Sequence, residues 1–120
     1  MIRVAIADDH PAVRLSYAAY LSEVEELDVV GTVQNGREAV DLCRADAPDV
    51  VVMDVRMPVM DGIEATRLIK QDRPDTKVIL VSAYEQQELI EAGRRAGADL
   101  FIVKGMSGAE LATHVKGVAA

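Results

Sequence analysis

The stretch DVVVMDVRMP, Asp49 to Pro58, decides the fold of this chain. Its four apolar residues, Val50 to Met53, are followed directly by an acid, Asp54. A short continuous apolar run is typical of a strand that is covered on both faces, as in a parallel sheet. The stretch therefore predicts a buried strand that ends in a carboxylate, and a carboxylate at that place requires a chemical reason.

Similar apolar runs recur along the 120-residue sequence, and segments with the 3.6-residue period of amphipathic helices separate them. We predict strands at residues 2–7, 28–33, 49–53, 77–82 and 99–103. We predict helices from Pro11, from about Gly36, at 63–71, at 86–96 and from about 109 to the end. Gly93 weakens the fourth helix and Gly97 ends it. The alternation predicts an α/β fold with a doubly wound, five-stranded parallel sheet in the flavodoxin-like order 2-1-3-4-5 and helices on both faces.

Composition limits the functions that the chain can have. Half of the residues are hydrophobic, which suits one domain, residues 1–120, with a single core. The formal charge of −7 argues against direct binding to nucleic acid, because that binding depends on Lys and Arg near phosphates. The lone Cys43 is expected to be a small buried helix residue. With no signal peptide and no long apolar run, we expect a soluble cytoplasmic protein.

Polar residues lie at the carboxyl ends of all five predicted strands, but Gln34-Asn35 follow the second, an edge strand, and are not expected to reach the site. Asp8 and Asp9 follow the first strand, Asp54 the third, Ser82 ends the fourth, and Lys104 follows the fifth. Open α/β sheets bind ligands beyond the carboxyl ends of their strands, so we expect these side chains to converge. Three carboxylates repel one another unless a cation compensates them, and Mg²⁺ prefers oxygen ligands and often completes its shell with phosphate oxygens. The sequence therefore predicts a Mg²⁺ site with a phosphoryl group beside it.

The predicted site suggests a chemical role for the carboxylate of Asp54. A carboxylate held by a rigid strand beside Mg²⁺ can attack phosphorus and form an aspartyl phosphate. Lys104 and Ser82 are suited to bind the oxygens of that group. Asp54 is the best candidate nucleophile because its strand is expected to lie at the centre of the sheet.

Other polar residues are assigned structural roles. Asp61 precedes a predicted helix and is interpreted as its N-cap. His10 and His114 are interpreted as ordinary polar groups, and Arg94 and Arg95 as part of a solvated helix face.

Four motifs together resemble the receiver domain of two-component response regulators. They are ADDH at 7–10, MDVRMPVMDG at 53–62, VSA at 81–83 and FIVK at 101–104, in the order and spacing of that family. The resemblance extends from Ile2 to about Val118. The segments ADDHP and VVGTVQNGREAV further resemble the subgroup that carries a C-terminal helix-turn-helix DNA-binding output domain, which residues 1–120 do not include.

The resemblance implies a role for each matching residue. Asp54 would be the phosphoacceptor, Lys104 would contact the phosphoryl group, Ser82 would be the switch hydroxyl and Phe101 the switch aromatic. The implied Mg²⁺ ligands are Asp8, Asp9, Asp54 and the backbone carbonyl of Arg56. The family further implies a sensor histidine kinase as the phosphoryl donor, a homodimer on phosphorylation, and DNA binding only through the output domain. It implies a phosphoacceptor that assists its own phosphorylation and dephosphorylation, and not an enzyme.

Departures from the family pattern concern residues around the site. Gly105 follows the lysine where the family often has a proline with a cis bond, so no cis bond is expected there. Phe101 replaces a tyrosine and has no phenolic hydroxyl to bond. Arg56 and Tyr84 occupy the two variable positions that tune hydrolysis in the family, and their size predicts a phosphoryl group that lasts minutes or longer.

Three other functions are possible for a chain of this fold class. A phosphatase with an aspartate nucleophile needs a second acid two residues later, where this chain has Arg56. A dinucleotide-binding domain needs GxGxxG after the first strand, where the chain has Asp8-Asp9-His10-Pro11. A pseudo-receiver that acts only as a protein-binding module is the remaining alternative, although no acceptor, metal or lysine position is lost.

Overall fold

A computed structural model describes all 120 residues, in which five strands and five helices alternate. The strands are β1 (Ile2–Ala7), β2 (Leu27–Val33), β3 (Val50–Asp54), β4 (Lys77–Ser82) and β5 (Leu100–Val103). The helices are α1 (Pro11–Ser22), α2 (Gly36–Asp46), α3 (Gly62–Asp72), α4 (Gln87–Ala96) and α5 (Gly108–Ala119). The predicted elements are confirmed, and their bounds differ from these by one residue at most.

The strands form one parallel sheet in the order β2-β1-β3-β4-β5, which confirms the predicted topology. All five residues of β3 are buried, as its continuous apolar sequence predicts for a central strand. The winding direction reverses once, after β2, and this reversal puts helices on both faces of the sheet. The carboxyl ends of the strands share one edge.

Two hydrophobic clusters cover the two faces of the sheet. Alternate residues of β3 supply them: Val50 and Val52 pack with α1 and α5, while Val51 and Met53 pack with α2, α3 and α4. Successive side chains of a strand point to opposite faces of the sheet, and both faces of this sheet are buried by helices. Cys43 of α2 lies in the second cluster, and its assignment as a small buried helix residue is confirmed.

Gly93 has a packing reason that the sequence did not reveal. A Cβ atom at this position of α4 would lie 2.9 Å from Leu80 Cδ1 and 3.3 Å from Phe101 Cδ2. The helix can therefore approach β4 and β5 only because residue 93 has no side chain. Gly97 ends α4 in the left-handed region, at φ +108°, as predicted.

None of the five helices is long and apolar enough to cross a membrane.

Candidate functional site

The register of the sheet places Asp8 beside Asp54. The residues just before them, Ala7 and Met53, are paired across β1 and β3, so the two acids lie level at the carboxyl edge. Both carboxylates are almost completely buried; Asp54 is only 4% exposed. The backbone of Asp8 is held by Arg14, whose guanidinium donates to its carbonyl oxygen at 2.8 Å. The acidic pair is thus fixed by strand pairing and not by a flexible loop.

Lys104 connects the two buried acids. Its Nζ lies 3.2 Å from Asp54 Oδ2 and 3.4 Å from Asp8 Oδ2. The lysine reaches this position because its backbone N–H donates to the carbonyl oxygen of Ser82 at 2.7 Å, one residue past the end of β5. The next residue, Gly105, has φ +111°, and no peptide bond of the chain is cis.

The charges at this edge perturb each other's pKa values. Burial raises the pKa of Asp54 above its ordinary value; Lys104 lowers it and Asp8 raises it again, so the net direction is up. Burial lowers the pKa of Lys104, but the charges of Asp54 and Asp8 raise it by more. Burial is therefore the main cause of the upward shift of Asp54, whereas the two nearby carboxylates cause the upward shift of Lys104.

Asp9 lies at the outer side of the acidic pair. Its side chain is 32% exposed, yet its Oδ1 atom is buried and has no hydrogen-bond partner. A buried carboxylate oxygen without a donor is costly unless a cation meets it. One donor atom from each of Asp8, Asp9, His10 and Asp54 lies within 4.8 Å of the others. This donor set, rich in oxygen and partly open to solvent, fits a divalent metal ion.

His10 is the residue of this cluster that sequence reasoning missed. Its Nδ1 lies 3.2 Å from Asp8 Oδ1 and 3.2 Å from Asp9 Oδ1, and 4.0 Å from Asp54 Oδ2; the hydrogen-bond geometry favours Asp8. The interpretation of His10 as an ordinary polar loop group did not anticipate this position beside the acids. Its position between the acidic pair and Pro11, which starts α1, was the available signal, because that short turn has little room to direct the ring elsewhere.

Ser82 is close to the cluster in the sheet but makes no contact with its carboxylates. The hydroxyl is buried and accepts a hydrogen bond from the backbone N–H of Tyr84 at 3.2 Å. The Tyr84 ring in turn lies under Arg56, whose guanidinium carbon is 5.9 Å from the ring centroid. Two loops, after β3 and after β4, are thus joined beside Asp54 by a cation–π contact.

The loop after β3 is held close to Asp54 by a glycine. The N–H of Gly62 donates to the carbonyl oxygen of Val55 at 2.8 Å, and a Cβ at this position would lie 2.1 Å from the carbonyl oxygen of Asp54. Asp61 accepts from the N–H of Glu64 at 2.8 Å, which confirms it as the N-cap of α3. The start of α3 is thereby fixed against the end of β3.

Phe101 lies outside the charged cluster. It is half-buried in β5 and packs in the second hydrophobic cluster, against the surface that Gly93 leaves open. Its role as a switch, the roles of Asp54, Lys104 and Ser82, and the metal ligand at the Arg56 carbonyl remain predictions.

A family model described as the response regulator receiver domain matches residues 4–116. The chain belongs to this family. Among known structures, this receiver domain is similar to the signal receiver domain of the response regulator NarL from Mycobacterium tuberculosis, with a TM-score of 0.95, 32% identity, and 98% and 95% of the two chains covered. It is also similar to a structure of the CheX-CheY-BeF₃-Mg²⁺ complex from Borrelia burgdorferi, with a TM-score of 0.88, 28% identity, and coverage of 99% and 90%.

A curated relative of this receiver domain is the transcriptional regulatory protein LnrK from Bacillus subtilis. The two are 38% identical over 107 residues, which are 89% of this chain and 49% of LnrK. The chain spans about half the length of the curated relatives it matches.

Proposed function

We propose that this receiver domain accepts a phosphoryl group on Asp54 from a sensor histidine kinase, in a reaction that depends on Mg²⁺. The observation that carries the proposal is the arrangement around Asp54: a buried carboxylate at a strand end, with the Lys104 ammonium at 3.2 Å and two further acids beside it. A purely structural ion pair would not need three carboxylates for one lysine.

The residues divide the chemistry of phosphoryl transfer among them. An oxygen of Asp54 attacks phosphorus; the bond between phosphorus and the donor's imidazole nitrogen breaks, and the imidazole leaves with the electron pair and takes up a proton. Lys104 stabilises negative charge on the phosphoryl oxygens, and the Ser82 hydroxyl donates to another of them. Asp8, Asp9, Asp54 and the Arg56 carbonyl would hold Mg²⁺, which supplies further charge stabilisation when bound.

The metal assignment has support from both the donor set and a relative. The unpartnered Oδ1 of Asp9 provides an oxygen that a cation would satisfy. The similar CheY complex contains Mg²⁺ and BeF₃. In this proposal the domain is a stoichiometric phosphoacceptor that assists its own phosphorylation and dephosphorylation, and not an enzyme that turns over an external substrate.

Phosphorylation would act on the rest of the molecule through added charge. A phosphoryl group brings strong acceptor oxygens that draw in the Ser82 hydroxyl, and the loop that bonds to it through Tyr84 moves with it. Inward rotation of Phe101 would then shift the face formed by α4, β5 and α5. We propose homodimer formation on this shift, and control of transcription through a DNA-binding domain outside residues 1–120, in keeping with the description of LnrK as a transcriptional regulator.

The proposal is tested by intact-mass analysis after incubation with Mg²⁺ and acetyl phosphate. We expect one added phosphoryl group in the wild type and in Asp28→Asn, which removes an exposed acid of β2. We expect none in Asp54→Asn or in the presence of EDTA. Addition to Asp54→Asn would contradict the acceptor assignment. No addition to any sample would favour the alternative, a protein-binding module with a silent site.

A further inference from the structure

His10 occupies a position in the acidic cluster that packing does not explain. Its side chain is 63% exposed, so no apolar contact forces the ring towards the carboxylates. Its backbone N–H donates to Asp8 Oδ1 at 2.9 Å, and this bond fixes the short turn before α1 with the ring over the acids. The imidazole is therefore placed in advance beside all three carboxylates.

The spacing of the donor atoms is that of ligands around a single ion. Adjacent ligands at metal distances of about 2.0–2.2 Å are about 2.8–3.1 Å apart in an octahedral shell and about 3.3–3.6 Å apart in a tetrahedral one. Nδ1 of His10 lies 3.2 Å from an oxygen of Asp8 and 3.2 Å from an oxygen of Asp9. The distance of 4.0 Å to Asp54 Oδ2 is that of a ligand further round the same shell.

The chemistry of the imidazole differs from that of the other donors. Mg²⁺ prefers oxygen and gains little from a nitrogen ligand. Imidazole nitrogen suits Ni²⁺, Co²⁺ and Zn²⁺, and the affinity of a mixed site rises along the first-row series towards Ni²⁺ and Cu²⁺. An all-oxygen cluster and a cluster with one imidazole should therefore rank the same metals differently.

We propose that His10 is a metal ligand, and that it makes the cluster of Asp8, Asp9, His10 and Asp54 a mixed nitrogen and oxygen site, whose affinity for Ni²⁺, Co²⁺ and Zn²⁺ relative to Mg²⁺ is higher than that of the carboxylates alone. The inference rests on the proposed function only in that both use the same carboxylates. Metal preference and phosphoryl acceptance are measured separately, so either can fail alone.

Calorimetric titration of the untagged chain with Ni²⁺ and with Mg²⁺ tests the proposal without a phosphodonor. Loss of an imidazole ligand in His10→Ala is expected to weaken Ni²⁺ binding at least about tenfold, because a metal ligand should matter no less than the outer-shell partners whose loss costs 10- to 100-fold. Mg²⁺ binding is expected to change by less than about twofold, since that ion favours oxygen. His114→Ala, which removes the only other histidine, from α5, should change neither.

A spectroscopic readout separates coordination from an indirect effect on the carboxylates. With Co²⁺ bound, the ring N–H proton of a coordinated imidazole is shifted far outside the normal NMR range, and this signal should be present in the wild type and in His114→Ala and absent in His10→Ala. His10→Gln, which keeps a polar side chain of similar size, should also lose the signal and the Ni²⁺ preference. Circular dichroism of each variant verifies its fold.

Two results would overturn the proposal. Unchanged Ni²⁺ affinity in His10→Ala would show that the ring does not bind the metal, and parallel losses for Ni²⁺ and Mg²⁺ would show that it only holds the carboxylates in place. Failure of the proposed function would be seen in a different measurement. Acetyl phosphate and Mg²⁺ would then add no mass to the protein, and this result does not depend on the ratio of Ni²⁺ affinities between the wild type and His10→Ala.

Discussion

Removing the charge of Asp54 should stabilise the fold when no metal is present. The carboxylate is 4% exposed and lies between like charges, and both burial and Asp8 raise its pKa. A raised pKa means that the folded state binds the proton more tightly, so the ionised form at neutral pH costs stability. Asp54→Asn keeps the shape of the side chain and removes that cost.

The size of the change in the free energy of unfolding follows from the distances between the charges and from the burial of Asp54. The donor oxygens of Asp8, Asp9 and Asp54 lie within 4.8 Å of one another, so each ionised neighbour repels Asp54 by about 3.5 kcal/mol at an effective dielectric constant of about 20. Lys104, at 3.2 Å, attracts it by about 5 kcal/mol on the same scale. The two repulsions and the one attraction therefore come close to cancelling, and the desolvation of the buried carboxylate, which is the main cause of its raised pKa, decides the sign of the net effect. We expect Asp54→Asn to raise the free energy of unfolding by about 2 kcal/mol.

Urea unfolding followed by far-UV circular dichroism measures the difference, with EDTA in one series and saturating Mg²⁺ in the other. Asp28→Asn, on the exposed side of β2, removes the same formal charge and should change stability by less than about 0.5 kcal/mol. A ligand at a hundredfold of its Kd adds about 2.7 kcal/mol, so Mg²⁺ should stabilise the wild type by more than it stabilises Asp54→Asn. An Asn variant no more stable than the wild type in EDTA would refute the reasoning, because it would mean that the lysine offsets both the desolvation of Asp54 and the repulsion from the neighbouring acids.

Three further predictions concern packing, reactivity and the lifetime of the phosphoryl group. Gly93→Ala should destabilise the fold by about 1–3 kcal/mol because the added methyl group overlaps side chains of β4 and β5. Gly117→Ala, which meets open space in α5, should instead stabilise the fold by up to about 1 kcal/mol. Urea titrations that show the same sign for both variants would contradict this packing. Burial raises the pKa of Cys43 to about 11, so iodoacetamide should leave the native thiol intact at neutral pH and alkylate it in denaturing urea. Intact mass measures the alkylation, and rapid alkylation of the native protein would show that the thiol is accessible. Arg56→Ala should shorten the phosphoryl lifetime measured by mass decay, because the guanidinium over the Tyr84 ring screens the attacking water; an unchanged decay rate would count against this screening.

The fold was predictable because its decisive signals are local. The apolar run from Val50 to Met53 identifies a strand buried on both faces, and five such runs alternate with helical segments, which leaves few topologies. The convergence of Asp8, Asp54 and Lys104 then follows from parallel strands sharing one edge, without any knowledge of side-chain contacts. The position of the site at this edge of the sheet therefore follows from the sheet topology.

What the sequence could not predict depends on contacts between distant segments. Gly93 lowers helix propensity, and only the nearness of Leu80 and Phe101 explains why an alanine would be worse. Gly62 likewise gives no local sign that its α-carbon lies against the Asp54 carbonyl. The position of the His10 ring was not predictable because a histidine in a loop has no periodic pattern, and the ring lies where a turn and the charges of another strand place it.

The sharing of Lys104 between two acids explains why a change at Asp54 must be felt elsewhere. The single ammonium lies 3.2 Å from Asp54 and 3.4 Å from Asp8, and both acids are buried. A phosphoryl group on Asp54 carries more negative charge than the carboxylate it replaces and extends further, so the ammonium is drawn towards it and away from Asp8. Asp8 then needs another cation, and the candidate metal position beside it can hold one. Phosphorylation and metal binding are therefore expected to be linked at equilibrium: each should strengthen the other, because each supplies the charge that the other leaves uncompensated.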